Sequence, residues 1–319
     1  MSVAFATATT LASEAVLSLY PILIKTVPVS LQTQLLARLG TYTVAAAALA
    51  PAAEWAIPFS TSSLGLGLMN FVHILASYIS YLYLPAGTAL ALFYTYPFFN
   101  ILAGILFLGD RFRSSVIPLL LMAFAGVLLI ALYTGGEGFT GSAERSAEED
   151  RKSLGPLASA SVSGSTGSAE LTSAVKFPTS AVLLGVLLSL LSAITESAIF
   201  LLAKSPGATP TGTMLRLYPA ALVPLIAWIF LQPGNLQASL PQAAILIAFN
   251  LFIGFFGYFL RMFSIPILPT AVFSVLTFVG VATGYLWGLL FAKEVPTTGA
   301  LAGSGLIATA VGLLRFFKI

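Results

Sequence analysis

The stretch that decides the fold is Leu84–Phe112, LPAGTALALFYTYPFFNILAGILFLGDRF, whose pattern returns in the second half as Leu268–Pro296, LPTAVFSVLTFVGVATGYLWGLLFAKEVP. Both stretches begin with Leu-Pro, continue as an apolar run with a Gly at equal spacing, and end at an acidic residue, Asp110 or Glu294. Aligned without a gap, the identical pairs are Leu84/Leu268, Pro85/Pro269, Leu92/Leu276, Leu102/Leu286, Gly104/Gly288, Leu106/Leu290 and Phe107/Phe291. We therefore expect two copies of one unit, because internal self-similarity is the signature of a repeat architecture.

The composition places the chain in the membrane. Apolar residues make up 58% and charged residues 8% of the 319 residues, and the mean hydropathy is +0.98. Apolar runs recur along the whole chain, and runs of about 20 residues are long enough to cross about 30 Å of hydrocarbon. The sequence therefore predicts an all-α polytopic membrane protein with the lipid bilayer as its main partner, and the modest net charge of +3 gives no reason to expect a nucleic acid.

Ten transmembrane helices are predicted, in two sets of five. The first set, in repeat 1–134, covers 8–27, 30–50, 64–83, 86–108 and 115–134; the second set, in repeat 178–319, covers 179–203, 210–232, 242–264, 270–292 and 297–317. The segment 135–177 between them is rich in Gly and Ser and carries an acidic cluster. That composition is typical of a solvated tether.

An odd number of spans in each half turns the second half over, so the sequence predicts two inverted five-helix repeats. Cytoplasmic loops of membrane proteins carry an excess of Lys and Arg. With the N-terminus inside, the cytoplasmic side receives more of these cations than the outer side does. The inner set is Arg111, Arg113, Lys204, Arg315 and Lys318, and the outer set is Lys25 and Lys293. We therefore expect both termini in the cytoplasm.

The repeat resembles the drug/metabolite transporter superfamily, in its EamA-like branch. In that branch the fourth helix of each repeat is typically closed by Pro, Gly and an acidic residue, as in Pro97, Gly104 and Asp110. The repeat starts also match, since YPILIKTVPVSLQTQLLAR (Tyr20–Arg38) pairs with AIFLLAKSPGATPTGTMLR (Ala198–Arg216). The resemblance implies a secondary transporter that works by alternating access, with spans 1, 3, 4, 6, 8 and 9 around a central cavity.

The same resemblance implies a small organic metabolite as the substrate, with an amino acid or a similar amphipathic solute as the first choice. A sugar-phosphate or nucleotide-sugar antiporter is the alternative, because KTVPVSLQTQ is similar to that branch of the superfamily. Protons are a candidate coupling ion, and a homodimer is a further open alternative. The alternatives from other functional classes are an intramembrane enzyme, a channel and a passive scaffold.

Ionisable residues within the predicted spans are the first candidates for function, because each costs several kcal/mol unless it is paired or faces water. These are Glu14, Glu196, Arg38, Arg216 and Arg261. Glu14 or Glu196 could pair with Arg216 or Arg261 as a structural bridge. Either acid could instead be a protonatable coupling group, and an unpaired Arg261 could attract an anionic substrate. The sequence leaves these three interpretations open.

Polar residues at helical spacing are the second set of candidates. His73 and Ser77 share one stripe of span 3, which predicts that this stripe faces protein or a water-filled cavity. For His73 a proton relay, a substrate hydrogen bond and an interhelical hydrogen bond all remain open. The remaining candidates for the cavity lining are Tyr96, Asn100, Thr277 and Tyr285.

The scarcity of catalytic residue types argues against an enzyme. The chain has no cysteine and a single histidine, His73. Its two aspartates, Asp110 and Asp150, both fall in predicted loops. Intramembrane proteolysis and zinc chemistry need an aspartate pair, a nucleophile with a base, or a cluster of metal ligands. We therefore expect no catalytic residues, no cofactor and no metal site.

Overall fold

The computed structural model describes residues 2–83, 89, 92–110, 114–134, 179–232, 236–292 and 298–313, which leaves the predicted tether 135–177 outside the described residues. These ranges are helical and contain no strand. The ten predicted spans are all present as helices. They are α1 (Val3–Leu17 and Tyr20–Thr26), α2 (Leu31–Leu49), α3 (Thr61–Tyr83), α4 (Tyr96–Leu108), α5 (Ile117–Thr134), α6 (Thr179–Lys204), α7 (Pro210–Leu231), α8 (Leu240–Phe249, Asn250–Phe255 and Phe256–Ser264), α9 (Thr270–Thr277 and Val279–Ala292) and α10 (Thr298–Leu313).

Six helical stretches are long and apolar enough to cross a membrane, which makes this an integral, multi-pass membrane protein. They are Val3–Ile24, Thr61–Tyr81, Leu183–Lys204, Pro210–Leu231, Leu240–Ser264 and Thr270–Phe291. Large apolar side chains such as Phe107, Phe230 and Phe252 are exposed on the outward faces of α4, α7 and α8. Such faces are stable in hydrocarbon and costly in water.

Prolines mark several helix starts, and one of them lies at an interruption of the fourth span. We expect a kink at Pro97, and the structure has one helical piece at 92–93, a turn at Tyr94 and Thr95, and then α4, which begins at Tyr96 with Pro97 in its first turn. A first-turn proline costs little, because its missing N–H would have no partner inside the helix. Pro219 and Pro224 do lie inside a helix, α7.

The two halves of the chain pack against each other along several helices. Among the larger packing contacts, α3 lies against α6 and α7, α1 lies against α8 and α9, and α4 lies against α6 and α9. Small residues allow the closest approaches, since a Cβ at Gly67 would collide with Ala220 and one at Gly126 would collide with the Gly303 carbonyl. Small residues are the usual means of bringing membrane helices together.

One turn of α8, Asn250–Phe255, is π-helical. The Asn250 side chain donates to the Leu246 carbonyl over 2.8 Å and accepts from the Tyr20 hydroxyl over 2.7 Å. Gly254 in the same turn faces the Tyr20 and Tyr42 hydroxyls, where a Cβ would not fit. Single π-helical turns occur frequently at functional sites, and this one fixes the tyrosines that are described below.

Candidate functional site

A cluster of buried charges lies where α1, α6 and α8 meet. Arg261 donates from Nη1 to Oε1 of Glu196 over 2.6 Å, and its Nε lies 3.2 Å from Oε1 of Glu14. All three residues are at most 4% exposed. The structure therefore contains the acid–base pairing that is one of the three interpretations left open by the sequence, and Arg261 is the partner of both carboxylates.

His73 extends the cluster onto α3. Its Nε2 lies 3.2 Å from Oε2 of Glu196, and its Nδ1 lies 3.0 Å from both the Ser192 carbonyl and the Thr195 hydroxyl. The imidazole thus bridges α3 to α6. A ring nitrogen at hydrogen-bond distance from a carboxylate can exchange a proton with it, so the arrangement allows proton movement between His73 and Glu196.

Three tyrosine hydroxyls complete the polar surroundings of these charges. Arg261 donates from Nη2 to the Tyr96 hydroxyl. The Tyr94 hydroxyl donates to Glu14 and the Tyr258 hydroxyl donates to Glu196, each over 3.4 Å. Partners of this kind are what a buried ion pair needs, because its desolvation cost exceeds the gain from attraction alone.

A cavity of about 90 Å³ adjoins the cluster. We call the end of the molecule with the starts of α2, α4 and α6 the upper end, and the opposite end the lower end. The cavity extends from Glu14 and Arg261 toward the upper end, and its volume exceeds the about 10–15 Å³ that one water needs. Its lining is aromatic and hydroxyl-rich: Tyr20, Tyr78, Tyr81, Phe93, Tyr94, Tyr258, Ser18, Ser77, Ser80, Ser189 and Ser192, with Leu17, Ile24, Arg38 and His73.

The lower end is bridged between the two halves of the chain. Glu54, just before α3, accepts hydrogen bonds from Thr209 over 2.6 Å and from Thr211 over 2.7 Å at the start of α7. Asp110, just after α4, accepts one from Thr270 at the start of α9.

Backbone geometry at the end of α4 sets the Asp110 contact. Gly109 ends the helix with φ 66°, a left-handed conformation that favours glycine, and the Asp110 N–H returns to the Gly104 carbonyl over 3.0 Å. Nearby, the Lys204 ammonium donates to the Leu268 carbonyl over 2.5 Å. The Gly-Asp pair near the end of the first repeated stretch is thus explained: Gly109 ends the helix, and Asp110 accepts the hydrogen bond from Thr270.

The structure brings together five of the predicted site residues, Glu14, His73, Tyr96, Glu196 and Arg261. Of the others, Ser77 lines the cavity and bonds the Ser192 hydroxyl over 2.5 Å, and Thr277 is fully buried on α9, where its hydroxyl donates to the Ser274 carbonyl over 2.9 Å. Asn100 is fully buried one turn below Tyr96, and neither of its amide atoms bonds another described residue. Tyr285 lies on α9, and its side chain is outside the described part of the chain.

Arg216 is not the partner of Glu14 or Glu196 among the described residues, although the sequence allows that pairing. It is half-buried on α7, and in the described part of the chain Glu14 and Glu196 both ion-pair with Arg261 instead, with His73 as a second partner of Glu196. The sequence places Arg216 and Arg261 at similar depths, and the choice between them depends on which face of each helix points inward.

Arg38, one of the ionisable candidates from the sequence, lines the cavity. It is 7% exposed on α2, and its guanidinium carbon lies 4.6 Å from the Tyr20 ring centroid and 5.7 Å from those of Tyr42 and Tyr258. The sequence signal that points to Arg38 is a cation within a predicted membrane span. The tyrosines that surround it come from α1, α2, α3 and α8, and no sequence pattern connects them.

Gly280 holds Tyr94 against Glu14, because a Cβ there would occupy the position of the Tyr94 hydroxyl and reach Glu14. We expect Gly280→Ala to displace Tyr94 and to lower stability by about 1–3 kcal/mol, the usual cost of overpacking. Gly284→Ala, one turn later, is the matched control, because its Cβ would meet only ordinary contacts of 3.5 Å or more with Ser18. Unfolding in detergent measures both variants, and equal stability would contradict this role of Gly280.

Comparison with known proteins supports the fold alone. No family model matches the sequence, and no curated protein matches it. A solved structure described as "Crystal structure of protein" superposes on 98% of this chain and 99% of its own chain, with a TM-score of 0.63 and 16% identity. The fold and the site define a polytopic α-helical membrane protein with a buried charge cluster beside a polar cavity.

Proposed function

We propose that this protein is a secondary transporter of the drug/metabolite transporter superfamily, similar to its EamA-like members. In this proposal it moves a small organic metabolite, an amino acid or a similar amphipathic solute, by alternating access at the central cavity. The observation that carries the proposal is the buried cluster of Glu14, His73, Glu196 and Arg261, which joins both halves of the chain at one end of the cavity.

The helix packing supports the inverted repeat on which alternating access depends. Each helix of the first repeat can be exchanged for its counterpart in the second, α1 for α6, α2 for α7 and so on, and the reverse. The contact of α1 with α8 then becomes that of α6 with α3. The contact of α2 with α8 becomes that of α7 with α3, and the contact of α1 with α9 becomes that of α6 with α4. The pairs α2–α7, α4–α9 and α5–α10 are unchanged. A pseudo-two-fold axis in the membrane plane would produce this pattern.

Buried charge supports transport over a passive scaffold. Two carboxylates, a guanidinium and an imidazole at 4% exposure or less are costly within a membrane-spanning bundle. A scaffold gains nothing from that cost. In a proton-coupled carrier the Glu196–His73 pair would take up and release the coupling proton, and Arg261 would hold the carboxylates in place. The charge distribution of the loops favours both termini in the cytoplasm, which would make the upper end the outer one.

Purified protein in proteoliposomes tests the proposal. We expect exchange of at least one labelled solute from a panel of amino acids, sugar phosphates and nucleotide sugars, with uptake that responds to an imposed pH gradient. Glu196→Gln removes the group that would carry the proton, so we expect it to lose the response to the gradient while exchange across equal pH persists. Initial rates of uptake and of exchange measure the two effects separately.

Arg216→Gln is the control for a charge change outside the cluster, and we expect it to keep both activities. If no solute of the panel exchanges in the wild-type protein, the transporter proposal is wrong. A response to the gradient that is unchanged in Glu196→Gln would instead remove only the proton role of that residue.

A further inference from the structure

The cavity contains a cation whose charge no described residue neutralises. Arg38 lines the cavity and is 7% exposed. Among the described residues no carboxylate ion-pairs with it, whereas Arg261 has two such partners, Glu14 and Glu196. The two buried arginines of the cavity therefore differ: Arg261 is paired with two carboxylates of the protein, whereas Arg38 is paired with none of the carboxylates that the structure describes.

Arg38 is surrounded by the rings of four tyrosines. Its guanidinium carbon lies within 6.0 Å of the ring centroids of Tyr20, Tyr42, Tyr78 and Tyr258. The Nε of Arg38 has no hydrogen-bond partner among the described residues. Ring faces attract a cation and orient it, yet they accept far less of its charge than a carboxylate does.

The tyrosines are themselves fixed. The Tyr20 hydroxyl lies 2.9 Å from that of Tyr42 and donates to Asn250 in the π-helical turn of α8. Tyr42 is fully buried and its ring packs against that of Tyr218 at 4.6 Å. The guanidinium is thus held in one orientation before any ligand arrives, and such preorganisation raises affinity by lowering the ordering cost of binding.

We propose that Arg38 is the anchor for the carboxylate of a small organic solute that enters the cavity from the upper end. This inference rests on the proposed function and names the chemical class of its substrate. A guanidinium with a free edge suits the two oxygens of a carboxylate. Arg38, the cavity cation that pairs with no carboxylate in the described part of the chain, matches one negative charge and not the two of a phosphate monoester.

The opposite side of the cavity narrows the class further. Glu14 lines the cavity, and the cluster on that side contains two carboxylates for one guanidinium. Two kinds of carboxylate ligand fit these surroundings. A zwitterion would direct its ammonium group toward Glu14, and a monoanion would bind together with a proton in the cluster. Both place the carboxylate on Arg38, and the rings of Phe93, Tyr94 and Tyr258 offer an apolar surface for the rest of the ligand.

Thermal stability of the purified full-length chain tests the anchor, because a ligand that binds the folded state raises the melting temperature. Benzoate and L-phenylalanine are the carboxylate probes, and benzamide, benzylamine and glycerol 3-phosphate are the comparisons. We expect at least one carboxylate probe to stabilise the protein and benzamide, nearly the same shape as benzoate, to leave it unchanged. Benzoate alone would indicate a monoanion, and L-phenylalanine alone a zwitterion. No stabilisation by either would overturn the proposal.

Variants distinguish the anchor from a merely structural arginine. We expect Arg38→Gln to weaken binding of the carboxylate probe by at least about tenfold, as loss of a charged hydrogen bond predicts. Arg38→Lys keeps the charge without the fork and should show an intermediate affinity, which also covers the case in which Arg38→Gln does not fold. Arg216→Gln, at the equivalent position of the second repeat, should bind as the wild type does. Unchanged affinity in both Arg38 variants would contradict the anchor.

Failure of this inference and failure of the proposed function have different signatures. Transport of benzylamine or benzamide that is undiminished in Arg38→Gln would overturn the anchor and leave the transporter intact. Binding of a carboxylate that depends on Arg38, without exchange of any solute in proteoliposomes, would support the anchor and contradict the transporter. Stronger stabilisation by glycerol 3-phosphate than by both carboxylate probes would overturn the assignment to carboxylates.

Discussion

Replacing Arg261 by Gln is expected to lower the free energy of unfolding by about 3–5 kcal/mol, the cost typical of removing one partner from a buried ion pair. The reason is that Glu14 and Glu196 would remain as two buried carboxylates, 2% and 3% exposed, with the guanidinium between them gone. Neutral residues of similar shape should be tolerated better than two unpaired charges. Unfolding of the purified protein in detergent, by heat or by SDS titration, measures the effect.

Two further variants make the Arg261 prediction specific. The triple variant Glu14→Gln, Glu196→Gln and Arg261→Gln removes all three charges and is expected to recover most of the lost stability. Arg216→Gln removes a half-buried arginine outside the cluster and is expected to cost clearly less than Arg261→Gln, because it leaves Glu14 and Glu196 with their partner. If Arg261→Gln is as stable as Arg216→Gln, the ion pairs do not hold the bundle together.

Locking the lower end is expected to stop transport almost completely. The chain has no cysteine, so Asp110→Cys combined with Thr270→Cys introduces the only thiols. These two side chains are in hydrogen-bond contact between α4 and α9, which favours a disulfide or a short bismethanethiosulfonate cross-link. A carrier that works by alternating access must separate this end in each cycle, so the cross-linked protein should exchange solute at under about a tenth of the reduced rate.

The cavity itself lies on the other side of the charge cluster, so the cross-linked protein should still bind ligand and show the same thermal stabilisation. The single variants, treated with the same reagents, are the controls for loss of the Asp110–Thr270 hydrogen bond. Reduction of the disulfide with dithiothreitol should restore exchange. Full activity in the verified cross-linked state would show that the lower end does not open between α4 and α9.

The amino-acid sequence by itself determined the class of protein and the positions of its helices. Hydropathy is a local property, and runs such as Leu240–Ser264 are too long and too apolar to be stable elsewhere than in a membrane. The same reasoning found Glu14, Glu196 and Arg261, because an ionisable residue within such a run is conspicuous without any knowledge of its neighbours. In the structure Arg261 is ion-paired with both Glu14 and Glu196.

Only the tertiary structure decided which charges are paired. Arg38, Arg216 and Arg261 look alike in the sequence, yet one is enclosed by tyrosines, one is half-buried on α7 and one binds two carboxylates. The difference depends on how each helix is rotated about its axis and which helices it crosses. Those quantities come from packing between residues far apart in the chain, as in the hydrogen bond from Tyr20 to Asn250 that supports the Arg38 site. Local sequence patterns carry no record of them.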